Sequence, residues 1–445
     1  MTRVPLRAFA AYRRRQHTPL SEIPMRLLWT AFAVVAAWPA LAAPAASELA
    51  LDDALDRVIH NHPELRGYAA RTAALNADVE LAAQAPPLRL AAELENAPGS
   101  GSLAGFSGAE LTLSLAGVLE RGGKREARRA LAASRLDALG VQRAAAELDL
   151  LAEVARRYLE LAEWQDRAPL LQAELEARRD IARAARERFQ RGAEPETAAL
   201  AADSAVIAIE IEIEARAQAE AAAWQRLALL WGETDSDAIP DLASLPARSP
   251  ALPSPTALRD LLQRTPELRA FADQQRLAEA QLQLARTAAS FDLDWQLGLR
   301  RLQDGRDTAL VAGLSLPLRA ARRAQPGLAA ADAELAALDS ARAAEALRLE
   351  ALALAALDLA QRHSARADGL ERRVLPAQQR AADSAARAYR SGALSWLEWA
   401  SLQNAVLATR MDLLAARAEA QRALIELQRL TAEPFGTGAH AGDAR

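Results

Sequence analysis

The chain repeats itself. Ala54-Leu55 and Pro63-Glu64-Leu65-Arg66 recur as Ala257-Leu258 and Pro266-Glu267-Leu268-Arg269, both displaced by 203 residues, and Tyr68-Ala69 is answered by Phe271-Ala272. Much further along, Phe189-Gln190-Arg191-Gly192-Ala193 recurs as Tyr389-Arg390-Ser391-Gly392-Ala393. Two matches nearly in register over such a span are hard to obtain from compositional bias, so the sequence reads as a tandem duplication. Repeat 1 is placed at 47–232, a linker rich in Pro, Ser and Asp at 233–255, and repeat 2 at 256–433; 434–445 is expected to be a disordered Gly/Ala tail.

Both repeats have the same order of elements. A helix of about 20 residues opens at Pro63 or Pro266, where proline suits the first helical turn. The period of the apolar residues then changes from 3.6 to 2. Phe291, Leu293, Trp295, Leu297 and Leu299 alternate with Asp292, Asp294, Gln296, Gly298 and Arg300, and Leu310, Ala312, Leu314, Leu316 and Leu318 follow a turn at Gln303-Asp304-Gly305-Arg306. In repeat 1, Leu88, Leu90, Ala92 and Leu94 are followed, after the small polar loop Asn96–Gly108, by Leu111, Leu113 and Leu115. Strands are therefore expected at about 88–95, 109–118, 291–301 and 308–318.

Alternation alone also fits a soluble sheet with one buried face. Here, however, the two hairpins stand among long helical stretches, and each is expected to lack a partner sheet in its own chain. They would have to pair with other copies or meet lipid. Four strands cannot close a barrel, whereas several subunits together can. The lipid-facing residues on this reading are Leu111, Leu113, Leu115, Leu293, Trp295, Leu297, Leu314 and Leu316.

After each hairpin a long helix is expected, at 124–190 and at 326–390, with near-heptad spacing such as Leu148, Leu151, Ala155, Tyr158 and Ala162. Some 65 residues of helix make a rod of roughly 100 Å, longer than a globular domain needs. Pro169 and Pro376 are expected to kink the rods. Each turns at Gly192 or Gly392, where a left-handed cap suits glycine, and returns as a second helix at 195–231 or 395–430. Composition agrees: 51% of residues are hydrophobic but only 4% aromatic, with alanine and leucine dominant, as in long helices and coiled coils.

The formal net charge of −4 provides no field that would gather phosphates, so nucleic acid is excluded as a partner class. There is no cysteine, which removes disulfides, thiolate sites and any lipid carried on an N-terminal cysteine. Residues 1–42 read as a signal-peptide region: Arg26, an apolar stretch over Leu27–Trp38, Pro39, and Ala40-Leu41-Ala42 as cleavage site, with Met25 an alternative start.

Enzyme chemistry finds no support. Gly122-Gly123-Lys124 resembles part of a phosphate loop, but Val118 stands where the motif needs glycine and Arg125 where it needs Ser or Thr; a turn at the strand exit is the better reading. His60 and His62 are two apart and would not share a helix face. His363 and His440 are solitary. No catalytic, metal or cofactor site is expected.

Two repeats, each of helix, strand hairpin, long helix, Gly turn and returning helix, resemble the TolC-type outer-membrane efflux proteins over nearly the whole of 47–433. The stretch Glu95-Asn96 through Leu111-Thr112-Leu113-Ser114-Leu115 to Glu120-Arg121-Gly122-Gly123-Lys124-Arg125 resembles the branch serving heavy-metal (cobalt-zinc-cadmium) efflux. The resemblance implies a mainly helical fold with membrane β-structure: tandem-duplicated helical hairpins forming a periplasmic α-barrel, and four strands contributed to a twelve-stranded barrel in a homotrimer. It implies residence in the outer membrane of a Gram-negative bacterium, contact with its lipid, and partnership with a periplasmic adaptor (membrane fusion) protein and an inner-membrane RND transporter. Phe189, Arg191 and Gly192, and Tyr389, Arg390 and Gly392, match the family's hairpin tips and are its adaptor-docking candidates. Some members carry an aspartate six residues past the tip glycine; Glu398 keeps that charge as a candidate pore constriction, while Ala198 loses it. The exported substrate would be heavy-metal cations. Alternatives are a type I secretion or drug-efflux duct and, in another class, a periplasmic coiled-coil adaptor or scaffold.

Overall fold

The computed structural model describes residues 48–234, 238–246 and 250–435; the expected signal region and residues 436–445 of the expected tail lie outside the described residues. Repeat 1 comprises α1 (Leu51–Asn61), α2 (Pro63–Ala82), β1 (Arg89–Glu95), β2 (Glu110–Leu119), α3 (Lys124–Gln190) and α4 (Glu196–Ala228). Repeat 2 comprises α5 (Pro255–Leu262), α6 (Pro266–Thr287), β3 (Leu293–Leu302), β4 (Thr308–Ser315), α7 (Ala320–Gly369), α8 (Leu375–Arg390) and α9 (Trp396–Thr431).

Local chemistry explains the boundaries. Pro63 and Pro266 open α2 and α6, and the side chains before them cap the new helix: His62 accepts from the Glu64 N–H, and Thr265 from the Leu268 N–H. Proline costs nothing there because the first amides of a helix have no intrahelical acceptor. His62 is thus a cap, while His60 bonds the carbonyl of Asp56 one turn back. At the tips, Gly192 (φ 72°) and Gly392 (φ 83°) adopt the left-handed conformation. The following amides, Ala193 and Ala393, donate back to the carbonyls of Arg188 and Ala388, closing each helix as glycine-terminated helices close.

Several expectations need correction. The two hairpins do have a partner within the chain, namely each other. β2 pairs antiparallel with β3 from Glu110↔Leu302 to Leu119↔Leu293, giving one four-stranded sheet in the order β1-β2-β3-β4. Duplicated hairpins have matching registers, so the inner strand of one is a ready template for the other. The helix expected from Pro326 starts at Ala320 and carries Pro326 inside it, after Arg319 turns the chain at φ 61°. Leu316 and Leu318 lie beyond the end of β4 at Ser315. α3 continues through Pro169. Before Pro376 the second rod instead widens over Leu370–Val374 into a turn of π-helix, which absorbs the missing proline N–H.

The elements form a single layer. Next to the sheet the helices lie in the order α2, α3, α6, α7; towards the tips the order is α4, α3, α9, then α7 and α8. The layer therefore has two free edges. One is β1, α2 and α4; the other is β4, α7 and α8. Two clusters fix it midway. Val58, Leu65, Val154, Leu161, Trp224 and Leu227 pack together in repeat 1, and Leu258, Leu268, Leu349, Leu357, Leu427 and Leu430 in repeat 2. Leu65 and Leu268, equivalent in the duplication, both serve as core anchors.

Candidate functional site

The sheet divides into a dry face and a wet face. Cross-strand partners place Leu94 beside Leu111, Ala92 beside Leu113 and Leu90 beside Leu115; the row continues through Leu299, Leu297 and Trp295 to Leu310, Ala312 and Leu314. These leucines are open to the surroundings: Leu113 is 51% exposed, Leu297 50% and Leu314 74%. Leu293 and Trp295 are half-buried. Burying such a side chain is worth about 1.5–3 kcal/mol, so a row of them left in water would be a large standing cost.

On the opposite face the residues form a polar ladder. Gln296 Nε2 donates to Ser114 Oγ at 3.0 Å, and Arg300 Nε to Thr112 Oγ1 at 3.0 Å. The Arg300 guanidinium also pairs with Glu110 at 3.0 Å and Glu95 at 3.1 Å. Leucines outward and hydrogen-bonded polar groups inward is the pattern of a membrane barrel with an aqueous lumen, the reverse of a water-soluble sheet. Glycine is required at one point in this face: a Cβ at Gly298 would come 2.8 Å from both Leu113 O and Ser114 Cβ.

The far end of the molecule carries the two hairpin tips, and they differ. Phe189 is exposed at 41%, whereas its repeat partner Tyr389 is 1% exposed. Tyr389 stacks on Trp399, ring centres 4.8 Å apart, and its hydroxyl donates to Glu194 Oε2 of the other tip at 3.1 Å. Arg188 completes the junction. It pairs with Glu194 at 3.3 Å, donates to the Tyr389 carbonyl at 2.7 Å, and lies 4.7 Å from the Tyr389 ring centre. Burial, reinforced by the hydrogen bond to Glu194, pushes the Tyr389 hydroxyl up to about 12. The tyrosine therefore remains a donor at any physiological pH.

Arg191, Gly192, Arg390 and Gly392 are exposed around this junction. The sequence reading missed Arg188, Glu194 and Trp399. The available signal was broken symmetry: where one repeat has Arg188, Glu194 and Ala199, the other has Ala388, Leu394 and Trp399.

Glu398 is exposed and has a local duty. Ser395 caps α9 by accepting from the Glu398 N–H at 3.3 Å, while the Ser395 N–H and hydroxyl donate to Glu398 Oε2 at 3.1 and 2.7 Å. This reciprocal capping box satisfies free amides of the first turn. The same hydrogen bonds from Ser395 hold the Glu398 carboxyl below its ordinary value, so it is ionised at neutral pH. In repeat 1 the helix starts from Pro195 without a side-chain cap. Among the described residues no group of three or more His, Asp or Glu could hold a metal ion, and no helix is long and apolar enough to cross a membrane.

The comparisons with known proteins agree with this geometry. Residues 54–233 match the family model described as outer membrane efflux protein. The solved outer-membrane channel OprN is 20% identical, with 86% of this chain and 90% of that chain covered at a TM-score of 0.72. CusC, described in its structural report in terms of transmembrane channel formation, is 18% identical over 86% and 91%, also at 0.72. The outer-membrane protein VceC from Vibrio cholerae is 19% identical over 86% and 95%, at 0.68. No curated protein sequence matches significantly.

Sheet, rods and tips together have the fold of the TolC-type outer-membrane channels. The outer membrane efflux protein model thus covers repeat 1, and the likeness to the solved channels over the whole described chain is one of fold.

Proposed function

We infer that the chain acts as one third of a homotrimeric duct. In this reading the trimer conducts heavy-metal cations from a periplasmic adaptor and an inner-membrane RND transporter to the exterior. The observation that carries the trimer is the open sheet. β1 and β4 are both edge strands, each with a row of unpaired backbone groups, which a bilayer does not tolerate. Three copies joined edge to edge satisfy them in a twelve-stranded barrel, with the leucine face towards lipid and the Arg300–Thr112 ladder towards water.

The same closure turns the helical layer into a tunnel that ends at the Arg188–Glu194–Tyr389 junction. Phe189, Arg191, Gly192, Arg390 and Gly392 then encircle the periplasmic mouth, where an adaptor would dock. The metal assignment rests on the likeness of the Glu95–Arg125 stretch to the heavy-metal branch and on a ring of three Glu398 carboxylates, which would favour cations. In that ring each carboxylate would oppose the ionisation of the others, against the capping bonds from Ser395.

The test is expression in a Gram-negative host, membrane fractionation, and electrophoresis with and without heating. A heat-modifiable trimer in the outer-membrane fraction, with increased tolerance of zinc, cobalt or cadmium when the cognate pump and adaptor are present, is the expected result. A soluble monomer would overturn the duct. A trimer that changes drug but not metal tolerance would overturn the substrate.

A further inference from the structure

At the end where the long helices begin, the dry face of the sheet gives way to a belt of cations. β2 ends at Leu119, paired with Leu293, and β4 ends at the same level, with Ser315 opposite Asp294. The segments that follow are strongly basic. Residues 120–129 hold five basic and two acidic residues, and 316–323 hold three basic and none acidic, in a chain whose formal net charge is −4. The other end of the sheet has nothing comparable: 96–108 has no charged residue, and 303–307 has one basic and two acidic.

The cations of repeat 1 sort by side. Lys124 Nζ reaches Asp292 Oδ2 at 2.7 Å, and Arg128 Nη2 reaches Glu120 Oε2 at 2.8 Å. Asp292 and Glu120 continue the alternation of the wet rows that hold Gln296 and Ser114. α3 is flanked by α2 and α6, so its open sides are the two faces of the layer. Lys124 and Arg128 take the wet side, which leaves the dry side for Arg125 and Arg129, both exposed and about 100° further round the helix. Arg121 continues the dry row of Leu119 and lies over the Phe291 ring, 5.0 Å from its centre. Trp295, in the same row, lies across Gly117, where an added Cβ would come 2.9 Å from the indole. Two aromatic rings thus separate leucines from arginines, as aromatic girdles do at the edge of a membrane barrel. In repeat 2, Arg319, Arg322 and Arg323 are exposed at the same level, and the start of α7 is covered only at Ala324 and Leu328.

Among the described residues, Arg121, Arg129, Arg319, Arg322 and Arg323 have no ion-pair partner, and Arg125 has only the adjacent Glu126 at 3.7 Å. Guanidinium groups gathered beside an apolar rim repel one another with less water to screen them. The polar layer of a leaflet is about 5–8 Å thick, and two strand residues past Leu119, at about 3.3 Å each, place Arg121 within it. Phosphate is an anion that guanidinium binds with paired hydrogen bonds, and basic residues beside a membrane-inserted segment draw anionic lipid.

We propose that Arg121, Arg125 and Arg129, with Arg319, Arg322 and Arg323, form a collar that binds the headgroup phosphates of anionic phospholipids in the periplasm-facing leaflet. The occupant is lipid because the collar is continuous with the leucine face: the acyl chains of a bound molecule would lie against Leu88, Leu119 and Leu318, which are 62%, 56% and 78% exposed. The inference rests on the reading that this face lies in lipid. It adds which lipid the periplasmic rim selects and what fixes the depth of the barrel.

Among the described residues, Trp295 is the one tryptophan in the four strands, so it reports on lipid at this rim. The protein is reconstituted in vesicles of phosphatidylcholine and phosphatidylglycerol in which one of the two lipids carries brominated acyl chains, which quench a nearby tryptophan. Quenching should show phosphatidylglycerol enriched at Trp295 at least about fivefold over phosphatidylcholine, with the preference falling as salt is raised. Two triple variants are compared, one with Arg121→Gln, Arg125→Gln and Arg129→Gln, the other with Arg319→Gln, Arg322→Gln and Arg323→Gln. Each should reduce the preference at least about twofold and keep the heat-modifiable trimer. Equal quenching by both lipids in the wild type, or an unchanged preference in both triple variants, would overturn the collar and leave the channel in its membrane. Triple variants that fail to trimerise in lipid-free detergent would assign the arginines to subunit contacts and overturn it as well. Quenching by neither lipid would overturn the membrane placement itself.

Discussion

The hydroxyl of Tyr389 in the second hairpin tip donates to the carboxylate of Glu194 in the first, at 3.1 Å. Duplication placed the two tips side by side, and later divergence tied them, because neither residue has a counterpart able to make the same bond in the other repeat. The junction is a cross-repeat fastening at the end of two long rods, where leverage on the remainder of the layer is greatest.

Tyr389→Phe keeps the ring on Trp399 and removes only the hydroxyl. A hydrogen bond to a charged acceptor contributes about 1.5–3 kcal/mol, so amides of the tips, including Gly192 and Gly392, should exchange at least tenfold faster while the β-sheet amides do not change. Hydrogen exchange with mass readout checks this, and unaltered tip exchange would remove the junction's structural role.

The pH dependence has a definite sign. The Tyr389 hydroxyl titrates at about 12 in the folded protein against 10.0 for an unperturbed tyrosine, so its contribution is complete below pH 10 and is lost as pH rises from 10 through 12. Tip exchange should therefore be insensitive to this group at neutral pH and accelerate above pH 10. The tyrosinate absorbance titration of Tyr389→Phe should lack the latest component of the wild-type curve.

Gly392→Val places a β-branched residue at φ 83°, a conformation that costs non-glycine residues about 1–2 kcal/mol. No atom crowds the added Cβ at this position, so the damage is confined to the turn. The expected outcome is a trimer that still forms and inserts, with export reduced severalfold in a tolerance assay. Unchanged export would mean that the tip is not the docking end.

Ser395→Ala removes both the cap of α9 and a hydrogen bond to Glu398. Loss of such a cap costs about 0.5–2 kcal/mol, seen as fraying over the first turn of α9. The Glu398 carboxyl should then titrate higher than in the wild type. Because Ser395 lowers that value, its support for α9 is present at neutral pH and fades as pH falls through the folded pKa of Glu398. Glu398→Gln should lower the cation selectivity of reconstituted single channels if three such carboxylates line the pore.

Much of the architecture is legible in the sequence. The switch from period 3.6 to period 2 at Phe291 marked β3 to within two residues, and Gly192 and Gly392 marked the tips, because glycine is the residue that tolerates the left-handed turn there. The pairing of β2 with β3 was not legible. Periodicity assigns each side chain to a face but leaves open which strand lies beside it, and Leu113 opposite Leu299 is a contact between residues far apart in the chain. The start of α7 was missed for a different reason. Pro326 looks like a first-turn proline, yet the alanines before it are strong helix formers and extend the helix past it. Arg188 and Glu194 pair with each other within one tip, but Tyr389, which bonds both, belongs to the other tip, and spacing along the chain does not reveal that neighbour.

A channel of this kind requires the leucine face of the sheet to lie in lipid. Spin labels at Leu113→Cys, Thr112→Cys and Leu314→Cys, in protein reconstituted into lipid vesicles, measure this through collisions with oxygen, which concentrates in the bilayer, and with a water-soluble nickel chelate. Labels at 113 and 314 should collide strongly with oxygen and weakly with the chelate, and the label at 112 should show the reverse. Strong chelate collisions at 113 and 314, or protection of both positions from either reagent, would place those leucines in water or in a protein core and contradict the channel.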